Sequence, residues 1–226
     1  MRIVIACLSL CLLLLSPATT LASEKEMKLA RNAIDVLREI QNVPDKRIPA
    51  NLLGEAYAIA VIPEVVKAGL IFGGRHGNGL ISVRGQDGTW SNPSFIEITG
   101  GSFGFQAGVQ ATDVILVFRT RRGVENIVYG KFTLGADAGV AAGPVGRSAS
   151  ASTDAEGRAE ILSYSRSRGL FAGVSLDGAV LSIDRSANRR VYGSDATPRQ
   201  ILENRVRNVP TPIVDFRDQL EEVTAR

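Results

Sequence analysis

The sequence predicts a single α+β domain, with an antiparallel, barrel-like β-sheet of about eight strands flanked by N- and C-terminal helices. Short apolar runs with β-type alternation recur roughly every eight to twelve residues between Gly-, Asn- and Asp-rich turns, the rhythm of a closed or strongly coiled sheet. Helical periodicity is confined mainly to the two ends of the chain. The length, 226 residues, suits one domain that buries a core without covalent staples.

The first segment, MRIVIACLSLCLLLLSPATTLAS, has one arginine, an apolar run from Ile3 to Leu15 and a polar stretch ending Thr20-Leu21-Ala22. This is the pattern of a signal peptide over residues 1–22, cleaved after Ala22, which leaves a single domain over 23–226. The run falls short of the roughly 20 apolar residues that cross a bilayer. Lipidation at Cys11 is disfavoured because no small residue sits just before it and cleavage there would fall inside the hydrophobic run. Cleavage removes Cys7 and Cys11, the only cysteines, and with them any disulfide, thiol nucleophile or thiolate metal site. The expectation is an exported protein, periplasmic or secreted, at the periphery of a membrane.

Formal net charge is +3, and removal of Arg2 leaves +2. The surplus sits in residues 68–151, with seven basic and five acidic side chains. No long basic tract exists, which argues against a nucleic-acid partner, since such binding needs many phosphate contacts.

Residues 24–43 read as an amphipathic helix. Met27, Ala30, Ile34, Leu37 and Ile40 recur at spacings of three and four, with Lys28, Arg31 and Arg38 among the other positions. Such a helix either docks on the domain by its apolar stripe or lies in a lipid interface with its basic residues near phosphates. The β-rich core is expected over 48–191, opened by a short helix with Pro49 in its first turn. Runs at Ala58–Ile62 and Ala68–Phe72 follow, then Gly73–Gly79 as a hairpin reversal holding His76, then Leu80–Val83. Trp90 is expected to anchor one end of the sheet. Gly100–Phe118 reads as a strand pair reversing at Gln110–Asp113, with glycines 101, 104 and 108 marking bends or close approaches.

Arg119, Arg121 and Arg122 form the densest basic cluster, either as solvated turn charges or as an anion-binding rim, before a short helix at Val124–Tyr129. Lys131–Ala142 reads as one strand poor in bulk, in which Asp137 is expected to be paired rather than free. A small-residue strand at Ser148–Thr153, a turn at 154–157, a hairpin of 160–166 with 169–176, and a strand leaving the turn Asp177-Gly178 complete the sheet. The C-terminal helices are expected over 197–223, the first capped by Thr197 with Pro198 in its first turn.

The chemistry missing from the sequence is informative. His76 is the only histidine, so multi-histidine metal centres are excluded, and no Gly-x-Ser-x-Gly elbow exists. The glycine-dense segments lack the Gly-Lys-Ser/Thr ending and the strand-to-helix context of phosphate loops. No enzyme, no metal and no cofactor is expected.

Five segments together carry a resemblance: AVIPEVVKAGLIFGGRHGNG, WSNPSFI, GGSFGFQAGVQATDVILVF, KFTLGADAGVAAGPVGR and YSRSRGLFAGVSLDGAVL. They are similar in order, from about Ile48 to Val191, to the SYLF domain family. That family includes lipid-binding and actin-associated eukaryotic proteins and exported bacterial ones. The resemblance implies binding of anionic lipids, without catalytic residues. The lipid-binding residues expected are Lys28, Arg31, Arg38, Arg119, Arg121 and Arg122, and the partner an anionic phospholipid membrane surface. The rival readings are an envelope protein-interaction module and a carrier holding an apolar ligand inside the sheet.

Overall fold

The computed structural model describes residues 17–41, 48–69, 72–103, 108–144, 159–167, 170–173 and 176–225. In chain order these form α1 (Pro17–Gln41), α2 (Ala50–Gly54), β1 (Ala58–Gly69), β2 (Phe72–Val83), β3 (Ser94–Phe103), β4 (Gly108–Phe118), α3 (Arg121–Tyr129), β5 (Lys131–Thr133) and β6 (Val140–Ala142). Then come β7 (Ile161–Ser167), β8 (Leu170–Gly173), β9 (Val180–Ile183), α4 (Arg185–Tyr192), α5 (Pro198–Leu202) and α6 (Thr211–Thr224). The α+β architecture with helices at both ends is the one expected.

The described strands form one sheet in the order β5-β9-β3-β2-β1-β4-β7-β6, with β8 paired to β7. All pairs are antiparallel except β6 with β7. The two strands at opposite ends of this order, β5 and β6, are consecutive in the chain and joined by residues 134–139. Laid flat, eight strands at about 4.8 Å spacing would put them roughly 34 Å apart. Seven residue steps reach at most about 25 Å, and an isolated bridge between Leu134 and Ala138 shortens this connection further. The sheet must therefore curl.

Alternation along the strands gives two apolar faces. The inner face gathers Ala60, Ile62, Ile81, Ile98, Leu116 and Phe118 with Phe132 of β5 and Val140 of β6, so both edges reach the same cluster. The outer face carries Ile59, Val61, Leu80, Phe95, Ile115 and Val117 and is covered by α1, α2, α4 and α6 through Leu37, Leu53, Ala187 and Phe216. Helix α3 packs Val124 and Ile127 on the inner face instead. Trp90 is the anchor expected. Its indole N–H donates to Thr224 Oγ1 at 2.9 Å, its backbone N–H donates to Glu221 at 2.6 Å, and the Arg84 guanidinium lies 4.8 Å over the ring. Thr197 caps α5 in a reciprocal capping box with Gln200, Pro198 following it.

Several local expectations are corrected. Gly73–Gly79 is not a reversal. β1 runs on through Pro63 to Gly69, and the glycines lie inside β2, with His76 opposite Val66 and Thr99. The cause is a bulge. Between matched pairs, β1 spends four residues (62–65) against three (77–79) of β2 and puts Glu64 at φ 51°. A Cβ at Gly79 would lie 2.4 Å from the Val61 carbonyl oxygen, and one at Gly77 would lie 2.9 Å from Val65 Cγ2. Only glycine lets β2 pass the bulge so closely. β1 ends at Gly69 and β2 begins at Phe72, and residues 70–71 lie outside the described residues.

Gly100–Phe118 is likewise no hairpin pair. Gln110–Asp113 is strand, paired with β1, while β3 pairs with β2 and β9. The close backbone approach sits at Gly100, where a Cβ would meet Ala179 Cα at 3.1 Å, and not at Gly101, whose Cβ would touch nothing. Gly104 lies outside the described residues. Lys131–Ala142 is two edge strands, broken where Gly135 takes φ 86°. Asp137 is exposed in that break. Its carboxylate accepts the Thr133 N–H at 2.6 Å, a turn bond rather than a core pair. α3 begins at Arg121, earlier than expected, and β9 pairs with β3 and β5 rather than β8. The expected strand at 148–153 and turn at 154–157 lie outside the described residues.

Candidate functional site

The two basic clusters expected to bind lipid sit on opposite faces of the sheet. α1 belongs to the outer layer and α3 to the inner one. A flat anionic surface therefore meets one or the other.

On α1, Ala30, Ala33, Ile34, Val36 and Leu37 are buried, so the apolar stripe is docked. Ion pairs and a hydrogen bond hold the helix along its length. Glu26, 3% exposed, accepts from Arg190 Nε at 3.1 Å and Nη2 at 2.6 Å. The hydrogen bond that Arg190 donates to Glu26 outweighs the opposing effect of burial and holds its pKa above the usual arginine value. Glu39 pairs with Arg166, which also binds Asp113 at 2.6 Å. Arg38 Nε donates to Gln219 at 2.9 Å. The opposite side of α1 presents Lys25, Lys28, Arg31, Asp35 and Arg38, all exposed and spaced at three or four residues. Lys28 and Arg31 have no side-chain partner among the described residues. Lys25 was missed in the sequence reading, and extending the three-residue step back from Lys28 finds it.

On α3, the cluster is less free. Arg119 donates to the Ala159 carbonyl at 3.3 Å. Arg121 Nε donates to Glu125 at 2.7 Å, a bond that with nearby charge raises its guanidinium pKa. Arg122 is exposed, without a side-chain partner among the described residues. Arg121 and Arg122 also stand in the first turn of the helix, where the backbone dipole is positive. Repulsion there is relieved by an anion, which gives this cluster its own reason to attract one.

Among the described residues no three His, Cys, Asp or Glu side chains gather into a metal-binding group, and no helix is long and apolar enough to cross a membrane.

Residues 99–223 match the family model Ysc84, described as Las17-binding protein actin regulator. That is more than half of the chain. The chain belongs to the Ysc84 family, as the SYLF resemblance implied. The Ysc84 match includes the α3 arginines and begins after α1. Family relatives extend the similarity. LAS seventeen-binding protein 3 of Saccharomyces cerevisiae is 43% identical over 174 residues, 76% of this chain and 37% of that protein. SH3 domain-containing YSC84-like protein 1 of Mus musculus is 38% identical over 189 residues, 81% of this chain and 54% of that protein. The Bos taurus protein of the same name is 35% identical over 203 residues, 87% of this chain and 59% of its own length. The chain thus spans between about a third and three fifths of these Ysc84 relatives.

Proposed function

We propose that the chain is a non-enzymatic, exported protein that binds anionic phospholipid head groups at a membrane surface through charge. The observation that supports this reading best is the outward stripe of Lys25, Lys28, Arg31 and Arg38 on a helix whose apolar side is already buried. Such a helix meets phosphates while still docked and does not insert. Attraction is worth about 1 kcal/mol per basic residue near an anionic surface, fading within a Debye length. Losing three contacts costs about 3 kcal/mol, more than a hundredfold in affinity.

The test is flotation with phosphatidylcholine vesicles, with and without phosphatidylserine. Wild type is expected to bind only the anionic vesicles, less as salt rises. The triple substitution Lys28→Gln, Arg31→Gln, Arg38→Gln is expected to lose that binding while staying folded. Arg119→Gln, Arg121→Gln, Arg122→Gln is expected to lose less, because two of those arginines are already engaged. A folded α1 triple variant that binds as wild type moves the membrane contact elsewhere. Wild type that ignores anionic vesicles at low salt ends the lipid reading. Export is tested by the intact mass of native protein, expected to start at Ser23 without added lipid.

A second reading draws on the Ysc84 description itself, which names Las17 binding and actin regulation. Under it the same exposed basic faces contact an acidic protein partner, and capture from an envelope extract replaces flotation as the positive result.

A further inference from the structure

The inner face of the curled sheet is plugged by α3 at the end where β1 begins, and turns polar at the other. Lys67 of β1 and Arg75 of β2 are direct cross-strand partners there. Alternation from Val65 and from Ile81 places both side chains on the inner face. Like charges opposed across a strand pair are destabilising, and no ion pair to either is formed among the described residues of β1 to β4. Register and alternation surround the pair on this face with Val65, Gly77, Gly100, Gln110 and Thr112, none of them acidic. Asp113, the nearest carboxylate of β4, points to the outer face and is held by Arg166.

Arg75 is the more unusual of the two. Its side chain is partly buried, its Nε is out of contact with solvent, and that N–H has no acceptor. A buried guanidinium N–H without a partner carries a desolvation penalty that folded proteins rarely tolerate. Burial also pulls the pKa of the group below the usual arginine value. Gly100, directly opposite on β3, has no side chain to accept from the arginine, and the backbone of Gly178 and Ala179 packs against it. Two cations opposed across a strand pair, one with a buried donor that meets no acceptor, make a receptor for an oxyanion rather than a structural ion pair.

We propose that Lys67 and Arg75 form a phosphate-binding site at the polar end of the inner face, with Arg75 donating through its guanidinium and Lys67 as a point charge. Thr112 and Gln110 supply neutral polar groups beside it. The ligand class is a phosphate monoester, carried either by a lipid head group or by a soluble molecule. Only the lipid source rests on the membrane reading above.

The experiment follows the arginine Nε–H signals of ¹⁵N-labelled wild-type protein by NMR during titration with inorganic phosphate. The Arg75 signal is expected to move saturably, and Lys67→Gln to weaken the response about fivefold. A parallel flotation uses phosphatidylcholine vesicles with and without phosphatidic acid. Loss of vesicle binding in Lys67→Gln and Arg75→Gln, alongside the NMR response, identifies a lipid phosphate. An NMR response with vesicle binding unchanged in both variants identifies a soluble phosphate and leaves the α1 stripe to carry the membrane reading. Thermal unfolding separates a site from a scaffold. Removing one of two opposed cations is expected to leave the Tm of Arg75→Gln unchanged or raised, and phosphate to raise the Tm of wild type. Should Arg75→Gln fail to fold, the wild-type titration and Lys67→Gln decide alone. An unmoved Arg75 signal together with vesicle binding indifferent to Lys67→Gln overturns the proposal, whatever wild type does on other anionic vesicles.

Discussion

Gly79 and Gly74 lie five residues apart in one strand, yet their reasons for being glycine differ. At Gly79 an added methyl group meets backbone, Val61 oxygen at 2.4 Å and Ile62 Cα at 2.9 Å, and backbone cannot rotate away. Gly79→Ala is expected to destabilise by about 3 kcal/mol, the upper end for overpacking, because the bulge itself must shift. At Gly74 nothing lies within 4 Å. Gly74→Ala is expected to be neutral or to stabilise by about 0.5 kcal/mol, since alanine loses less freedom in a strand. Urea unfolding of the two variants side by side checks both. Equal destabilisation would show that the close passage past the bulge is not what selects glycine at 79.

Among the elements, α1 has the greatest consequence for function, because the membrane reading depends on whether it stays docked. Its buried acid decides this. Arg190→Ala strands the Glu26 carboxylate at 3% exposure, and removing one partner of a buried pair costs about 3–5 kcal/mol. The expected result is faster amide exchange along α1, ahead of β1 and β4, together with a lower unfolding midpoint. If exchange in α1 stays as slow as in the central strands, its apolar stripe alone fixes it.

The elements also show how far the chain could be read without coordinates. Helices were legible where a stripe or a cap is written in consecutive residues, as at α1 and at Thr197-Pro198. Lys28, Arg31 and Arg38 fall outside the apolar stripe in the sequence for the same reason, and all three are exposed. The sheet was legible as a class and not in its pairings. Gly73–Gly79 has turn composition, but Gly77 and Gly79 answer to Val61, Ile62 and Val65 of the bulged strand beside them, a cause twelve or more residues away. Gly100–Phe118 looked like neighbours because they are close in sequence, whereas β2 and β1 stand between them in the sheet. Asp137 looked enclosed because its sequence neighbours are small and apolar, yet the turn exposes Gly135, Ala136 and Asp137 and buries only Ala138 beside them. Lys67 and Arg75 carried no local signal at all. Their opposition exists only once the register is known.

For the whole molecule, the six residues between β5 and β6 dictate an order of events during synthesis. Both strands flank a short turn, yet each pairs with a partner still to come, β5 with β9 and β6 with β7. A chain that has emerged only to residue 158 therefore has β1, β2, β3 and β4 ready to pair, and four strands with two open edges. Open edges recruit other chains, and pairings of such long sequence separation form slowly. A fragment ending at residue 158 is expected to scatter light at concentrations where the full chain stays clear, and a monodisperse fragment would refute the ordering. A polypeptide threaded through a membrane pore N-terminus first would spend that interval with its edges bare. Its need for a holding chaperone would end when residues 161–183 arrive, not when the last helix does.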